Sequence, residues 1–150
     1  KKLSDQGGQV HGFLLKSGSG LDMIVSNYLI DMYSKCGEPF IAHKVFDTMP
    51  DRNVVSWTAL MSGHVFNGDL KGSLSLFAEM GRHGVYPNEF TFSTNLKACG
   101  LLNELEKGLQ IHGFCLKIGL ETMVEVGNSL VDMYSKCGRI NEAEKVFRST

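Results

Sequence analysis

The side chains with the richest intrinsic chemistry are four cysteines, Cys36, Cys99, Cys115 and Cys137, and five histidines. His11 and His112 recur in step with Cys36 and Cys137, so metal ligation is the first question. Zinc sites built from cysteine place two of them two to four residues apart, and no two cysteines here have that spacing. The zinc deaminase signature, H-x-E followed by P-C-x-x-C, is also absent. No spacing sets a nucleophile beside a base. A disulfide framework belongs to short secreted chains dense in cysteine, which this is not. The expectation is therefore thiols packed among helices, each His and Cys filling the same packing niche in its own copy of a repeat. No catalytic residue, no metal and no cofactor are expected within residues 1–150.

The elements that carry these residues are repeats. Asp31-Met32-Tyr33-Ser34-Lys35-Cys36-Gly37 returns letter for letter as Asp132-Met133-Tyr134-Ser135-Lys136-Cys137-Gly138, an offset of 101 residues. At the same offset Gln9-Val10-His11-Gly12-Phe13 returns as Gln110-Ile111-His112-Gly113-Phe114. Of the 48 pairs between residues 2–49 and 103–150, 22 are identical, which only a duplication explains. An interval of 101 is too long for one helical hairpin, and its punctuation subdivides it. Gly37, Gly68 and Gly138 follow apolar stretches as left-handed helix caps do. Pro39 suits the first turn of a second helix, and Pro50 and Pro87 fall in polar connections where helices stop. Leu70, Leu74, Phe77 and Met80 form one apolar stripe at helical spacing, and Ile140, Ala143 and Phe147 another. The chain parses into helix pairs at 23–53, 54–88 and 89–123, preceded by a partial unit 1–22 (a second helix and its exit loop) and followed by a partial unit 124–150. Gly18-Ser19-Gly20 reads as a turn inside a single array.

Bulk properties bound the function. The 43% hydrophobic content can bury a core, and no apolar run approaches the ~20 residues of a membrane span, so no membrane partner is expected. Formal net charge is −1, far from a strongly basic nucleic-acid binder. Any contact with nucleic acid must then rest on individual base-edge contacts more than on a positive field. The chain begins Lys1-Lys2-Leu3, without an initiator Met or a signal-like region.

The motifs resemble the pentatricopeptide repeat (PPR) family, in particular the plant PLS subclass, whose P, L and S motifs alternate. Asn53-Val54-Val55-Ser56-Trp57-Thr58-Ala59-Leu60 resembles the start of a P motif and Tyr86-Pro87-Asn88 its end. Phe90-Thr91-Phe92 with Leu96-Lys97-Ala98-Cys99 resembles an L motif, and Val126-Gly127-Asn128-Ser129-Leu130-Val131-Asp132-Met133-Tyr134 an S motif. The order is L-type for 1–22, S for 23–53, P for 54–88, L for 89–123 and S for 124–150. The Trp-Leu-Gly-Tyr signature of tetratricopeptide repeats is missing. The resemblance implies an all-α fold, a right-handed superhelical α-solenoid of antiparallel helix pairs, and an RNA-binding rather than enzymatic role. Stacked units share a long face, and single-stranded RNA offers splayed bases at comparable intervals.

The resemblance also implies which residues read bases: the fifth and the last of each unit. They are Asn27 with Asn53, Thr58 with Asn88, Ser93 with Met123, then Asn128, and Asp22 from the leading fragment. Asn offers donor and acceptor to a pyrimidine edge, whereas Ser or Thr is shorter and leaves room for a purine. Thr58 with Asn88 implies adenine, Asn27 with Asn53 cytosine over uracil, Asn128 a pyrimidine, and Met123 an unselective unit. Helix capping is the competing role for these Asn and Thr residues. Ile24, Val55 and Phe90 resemble residues that wedge between bases, with core packing as the alternative; Glu125 holds that place in the last unit and should repel phosphate. Lys35 and Lys136 resemble phosphate contacts, although lysines near a helix C-terminus also complement its dipole. Trp57 is expected to pack between helices.

The function this implies is selective binding of single-stranded RNA, one base per repeat, within an RNA-processing or C-to-U editing factor of the mitochondrion or chloroplast. The alternative is a protein-interaction solenoid docking an editing-complex partner through the L-type unit. Self-association through uncapped apolar ends is a third, minor expectation.

Overall fold

The structure, a computed structural model, describes residues 5–9, 11–12 and 22–150. Gly18-Ser19-Gly20, expected as a turn, lies outside them. Every regular element among the described residues is a helix. Residues 5–9 and 11–12 are helical, followed by α1 (Met23–Lys35), α2 (Pro39–Thr48), α3 (Val54–Phe66), α4 (Leu70–Arg82), α5 (Glu89–Leu102), α6 (Leu105–Ile118), α7 (Val124–Lys136) and α8 (Ile140–Ser149). They form two compact units, Lys1–Asp69 and Leu70–Thr150. No helix of the described residues is long and apolar enough to cross a membrane.

Local chemistry sets the helix ends. Gly37, Gly68 and Gly138 adopt φ of 78°, 83° and 73°, the left-handed turn that stops α1, α3 and α7 without a Cβ penalty. Pro39 opens α2, where its missing N–H costs no helical hydrogen bond. Asp22, Asn53 and Asn88 stand at the N-caps of α1, α3 and α5, and each accepts from a backbone N–H in the first turn.

In the first unit α1 packs on both α2 and α3. Its core joins Leu29, Ile30 and Tyr33 of α1 to Ala42, Val45 and Phe46 of α2 and to Trp57, Leu60 and Met61 of α3. Trp57, 1% exposed, meets Phe46 edge to face with ring centroids 4.8 Å apart. The Arg52 guanidinium lies over the Phe46 ring at 4.4 Å, and its Nε donates to the Phe46 carbonyl at 3.1 Å. Gly63 lets α1 and α3 approach closely, since a Cβ there would stand 2.1 Å from Ser34 Oγ. Asn67 Nδ2 donates to the carbonyls of Ser34 and Gly63 and ties the C-terminal ends of the same two helices together.

In the second unit α5 packs on α4, α6 and α7, and α7 on α8. Phe92 lies at the centre of a ring cluster with Phe77 and Phe114, each contact edge to face. The buried Asn95 is satisfied twice over: its Oδ1 accepts from Ser73 Oγ at 3.1 Å, and its Nδ2 donates to the Thr91 carbonyl at 2.9 Å. Of the expected stripes, Leu74 and Met80 are buried, but in α8 only Ala143 is. Ile140 and Phe147 are 62% and 73% exposed, because within this unit α8 packs on α7 alone.

The duplicated polar residues do fill equivalent niches. His11 Nδ1 meets Tyr33 Oη at 3.1 Å, and His112 Nδ1 meets Tyr134 Oη at 2.6 Å. Cys36 and Cys137 occupy the C-caps of α1 and α7.

Candidate nucleic-acid interface

The first helices of successive pairs carry the candidate residues. On α1, positions 24, 27, 28 and 31 fall on one face by the three-and-four spacing of a helix. That face meets the N-terminal turn of α3, and the two enclose an open cavity of about 440 Å³ lined by Met23, Ile24, Asn27, Tyr28, Asp31, Asn53, Val55 and Ala59. Four residues singled out from the sequence are thus brought together: Asn27 with Asn53, and Ile24 with Val55. Ile24 and Val55 are 66% and 51% exposed, so neither belongs to the core.

Polar atoms in this cavity are unevenly committed. Asn53 Oδ1 accepts from Ser56 N at 3.0 Å and Ser56 Oγ at 3.1 Å, while Ser56 Oγ accepts from Asn53 N, a closed capping box. The Asn53 side-chain Nδ2 has no protein partner among the described residues. Asn27 Oδ1 is buried and has no hydrogen-bond partner. A ligand entering here therefore meets the Asn53 amide donor beside the Asn27 side chain, whose oxygen is turned away from solvent.

A second cavity, of about 310 Å³, lies between α5 and α7 and is lined by Ser93, Thr94, Lys97, Asn128, Ser129 and Asp132. It joins Ser93 to Asn128 of the following pair, not to Met123. Ser93 Oγ donates to the Glu125 carbonyl at 3.2 Å. Met123 is 38% exposed, holds the N-cap position of α7 and makes no side-chain cap.

The remaining candidates are dispersed. Asp22 caps α1 through Val25 N at 2.8 Å and lies beside Met49, Pro50 and Asp51, outside the Asn27 cavity. Thr58 is half-buried in the first unit; Asn88, in the second, caps α5 through Thr91 N at 3.0 Å. Phe90 is 56% exposed and lines neither cavity. The two lysines are already paired on their own helices, Lys35 with Asp31 at 2.8 Å and Lys136 with Asp132 at 2.6 Å. Such exposed pairs are worth about 0.3–0.5 kcal/mol, so a phosphate can displace them. Sequence reasoning passed over Tyr28, Asp31 and Asp132. Spacing of four residues from Asn27 and Asn128 was the signal that could have found the two carboxylates.

Nucleophilic chemistry finds little support. Burial pushes the Cys99 thiol up to about 12 and that of Cys115 to about 11, and raises that of Cys137, so these thiols stay protonated at neutral pH. Among the described residues no group of three or more His, Cys, Asp or Glu is placed to hold a metal ion. A third cavity, about 500 Å³, lies between α4 and α6 and is mainly apolar, with Leu74, Phe77, Ile111 and Phe114 on its walls and Lys107 at its side.

Paired helices whose equivalent positions carry equivalent side chains define the class: a helical-hairpin repeat protein of the α-solenoid type. Comparison with known proteins specifies which. The PPR repeat family matches residues 52–100, and the PPR repeat matches residues 24–54 and 128–149. A putative pentatricopeptide repeat-containing protein of Arabidopsis thaliana is 86% identical over 148 residues, 99% of this chain and 22% of the relative. A mitochondrial pentatricopeptide repeat-containing protein of the same plant is 45% identical over 94% of this chain and 16% of its own length. The structure of maize PPR10 in complex with an 18-nt psaJ RNA element aligns with a TM-score of 0.77 at 26% identity, over 97% of this chain and 22% of that one. The chain belongs to the pentatricopeptide repeat family. It spans about a fifth of the length of the first of these relatives.

Proposed function

We propose that this chain is part of the RNA-binding array of a plant organellar RNA-processing or C-to-U editing factor of the PLS subclass, and that it binds single-stranded RNA one base per helix pair. Repeats at 23–53, 54–88, 89–123 and 124–150 supply the register. The observation that carries the reading is the shared cavity of Asn27 and Asn53, flanked by Ile24 and Val55. Two amide side chains line it, and two exposed aliphatic side chains stand where a base stack needs walls. The RNA-bound relative and the relative named mitochondrial support the ligand and the compartment. A net charge of −1 makes base contacts, rather than phosphate attraction, the larger share of binding.

The test is a change of preference at one base. Asn27→Thr shortens the fifth-place side chain beside an unchanged Asn53, reproducing the Thr58–Asn88 combination. In the intact protein the preferred base facing 23–53 should move from a pyrimidine to adenine, read by titrating RNAs that differ at that base. An unchanged preference rules out base reading by this pair.

A second reading, docking of a protein partner through 89–123, is favoured by the apolar cavity between α4 and α6. Lys107→Glu, at the exposed side of that cavity, should then weaken capture of the partner and leave RNA affinity intact.

A further inference from the structure

Asp31 lies one helical turn beyond Asn27, a rise of about 6 Å, and lines the same cavity. Its Oδ2 accepts from Lys35 Nζ at 2.8 Å; Oδ1 has no protein partner among the described residues. The arrangement recurs in the second unit, where Asp132 lies one turn beyond Asn128, lines the cavity that Asn128 lines, and pairs with Lys136. In the intervening first helices the equivalent positions are Ser62 and Lys97. A carboxylate in a groove for a polyanion is electrostatically costly unless it is neutralised or has a ligand to recognise. The paired lysine supplies the neutralisation, and the geometry supplies the recognition.

We propose that Asp31 is a third base-reading residue, accepting a hydrogen bond from the exocyclic amine of the base held between Asn27 and Asn53, and so selecting cytosine against uracil. Asp132 does the same beside Asn128. The proposal rests on the base-reading function above. A carboxylate only accepts hydrogen bonds. The cytosine N4 amine donates to it, whereas uracil O4 sets a second acceptor against it. Asn53 Nδ2 is left to donate to the acceptor side of the same pyrimidine edge. Adenine also carries an amine, but the longer Asn27 side chain leaves less room for a purine than a Thr or Ser would.

A random RNA pool enriched on the intact protein supplies a consensus, from which variants carrying cytosine or uracil at the position facing 23–53 are made. Affinities are compared at fixed salt for the unaltered protein, Asp31→Asn and Lys35→Met. The unaltered protein should prefer cytosine about five- to tenfold. Asp31→Asn should bring that ratio close to one, with most of the change coming from tighter uracil binding. Lys35→Met breaks the same ion pair but keeps the carboxylate, so the ratio should survive while both RNAs bind more weakly. If Asp31→Asn tightens both RNAs equally, or leaves the ratio unchanged, Asp31 is only a surface charge and the proposal falls. If the unaltered protein shows no cytosine preference and Asn27→Thr changes nothing, base reading by the unit falls, and this proposal with it.

Discussion

Residues 22–49 and 123–150 are two copies of one sequence unit, yet their surroundings treat matching residues differently. Phe46 is 2% exposed beneath Trp57 of α3, whereas its counterpart Phe147 is 73% exposed on α8. Asp22 caps α1 with its carboxylate; Met123, its counterpart, caps nothing. By contrast, the Lys–Asp pair, internal to each copy, is present in both. The His–Tyr contact also recurs, because the duplication extends upstream to the preceding helix that supplies the His in each case. Contacts made within a copy are thus properties of its sequence, and contacts made to the next helix pair are properties of its neighbour. That is the energetic signature of a repeat array, in which stability divides into terms internal to a repeat and terms at each interface.

The sharpest way to break this comparison is truncation of the two phenylalanines in the 150-residue chain. Phe46→Ala should cost about 3–5 kcal/mol, as emptying a packed aromatic site does. Phe147→Ala should change stability by no more than about 0.5 kcal/mol, as for other exposed sites. Urea unfolding of both variants checks the contrast, and equal losses would dissolve it. The caps come next. Asp22→Ala should destabilise by about 1 kcal/mol, and Met123→Asp should recover a similar amount by giving α7 the cap it lacks; thermal melts of each variant measure this. The smallest effect concerns protonation. Burial holds the His112 imidazole below its ordinary value of 6.5, so the unfolded chain binds the proton more readily than the folded one. Its contribution is fully present above about 6.5 and is lost as pH falls below that value. Unfolding midpoints at pH 7.5 and 5.5 should differ less in His112→Gln than in the unaltered chain.

Much of the fold was legible because it is written in local signals. Gly37, Gly68 and Gly138 announced left-handed caps, Pro39 a first turn, and Pro50 and Pro87 the breaks between helices; all took those places. The apolar stripe of α8 was legible as a helix but not as a surface, since spacing cannot reveal whether a neighbour covers it. At the site, the family resemblance, not spacing, singled out Asn27, Asn53, Ile24 and Val55, and the structure sets the four around one cavity. Capping, the competing role, is where Asn53 and Asn88 spend their oxygens; sequence could not decide between the two roles, because reading and capping call for the same residue types at the same place. Nor did it separate Asp31 from the solvated face of its helix, where an Asp–Lys pair four residues apart is commonplace.

The caps at Asn53 and Asn88 carry a constraint on how such a surface can change. A side chain that starts a helix with its oxygen and meets a ligand with its remaining atoms serves folding and recognition at once. Only Asn, Asp, Ser and Thr do the first task well, so the vocabulary open to the second is short. Exchange within that group rewrites donors and acceptors at little energetic penalty, whereas departure from it, as at Met123, gives up the helix start together with the polar contact. Specificity built on this position can drift among a few polar letters without unravelling the array beneath it.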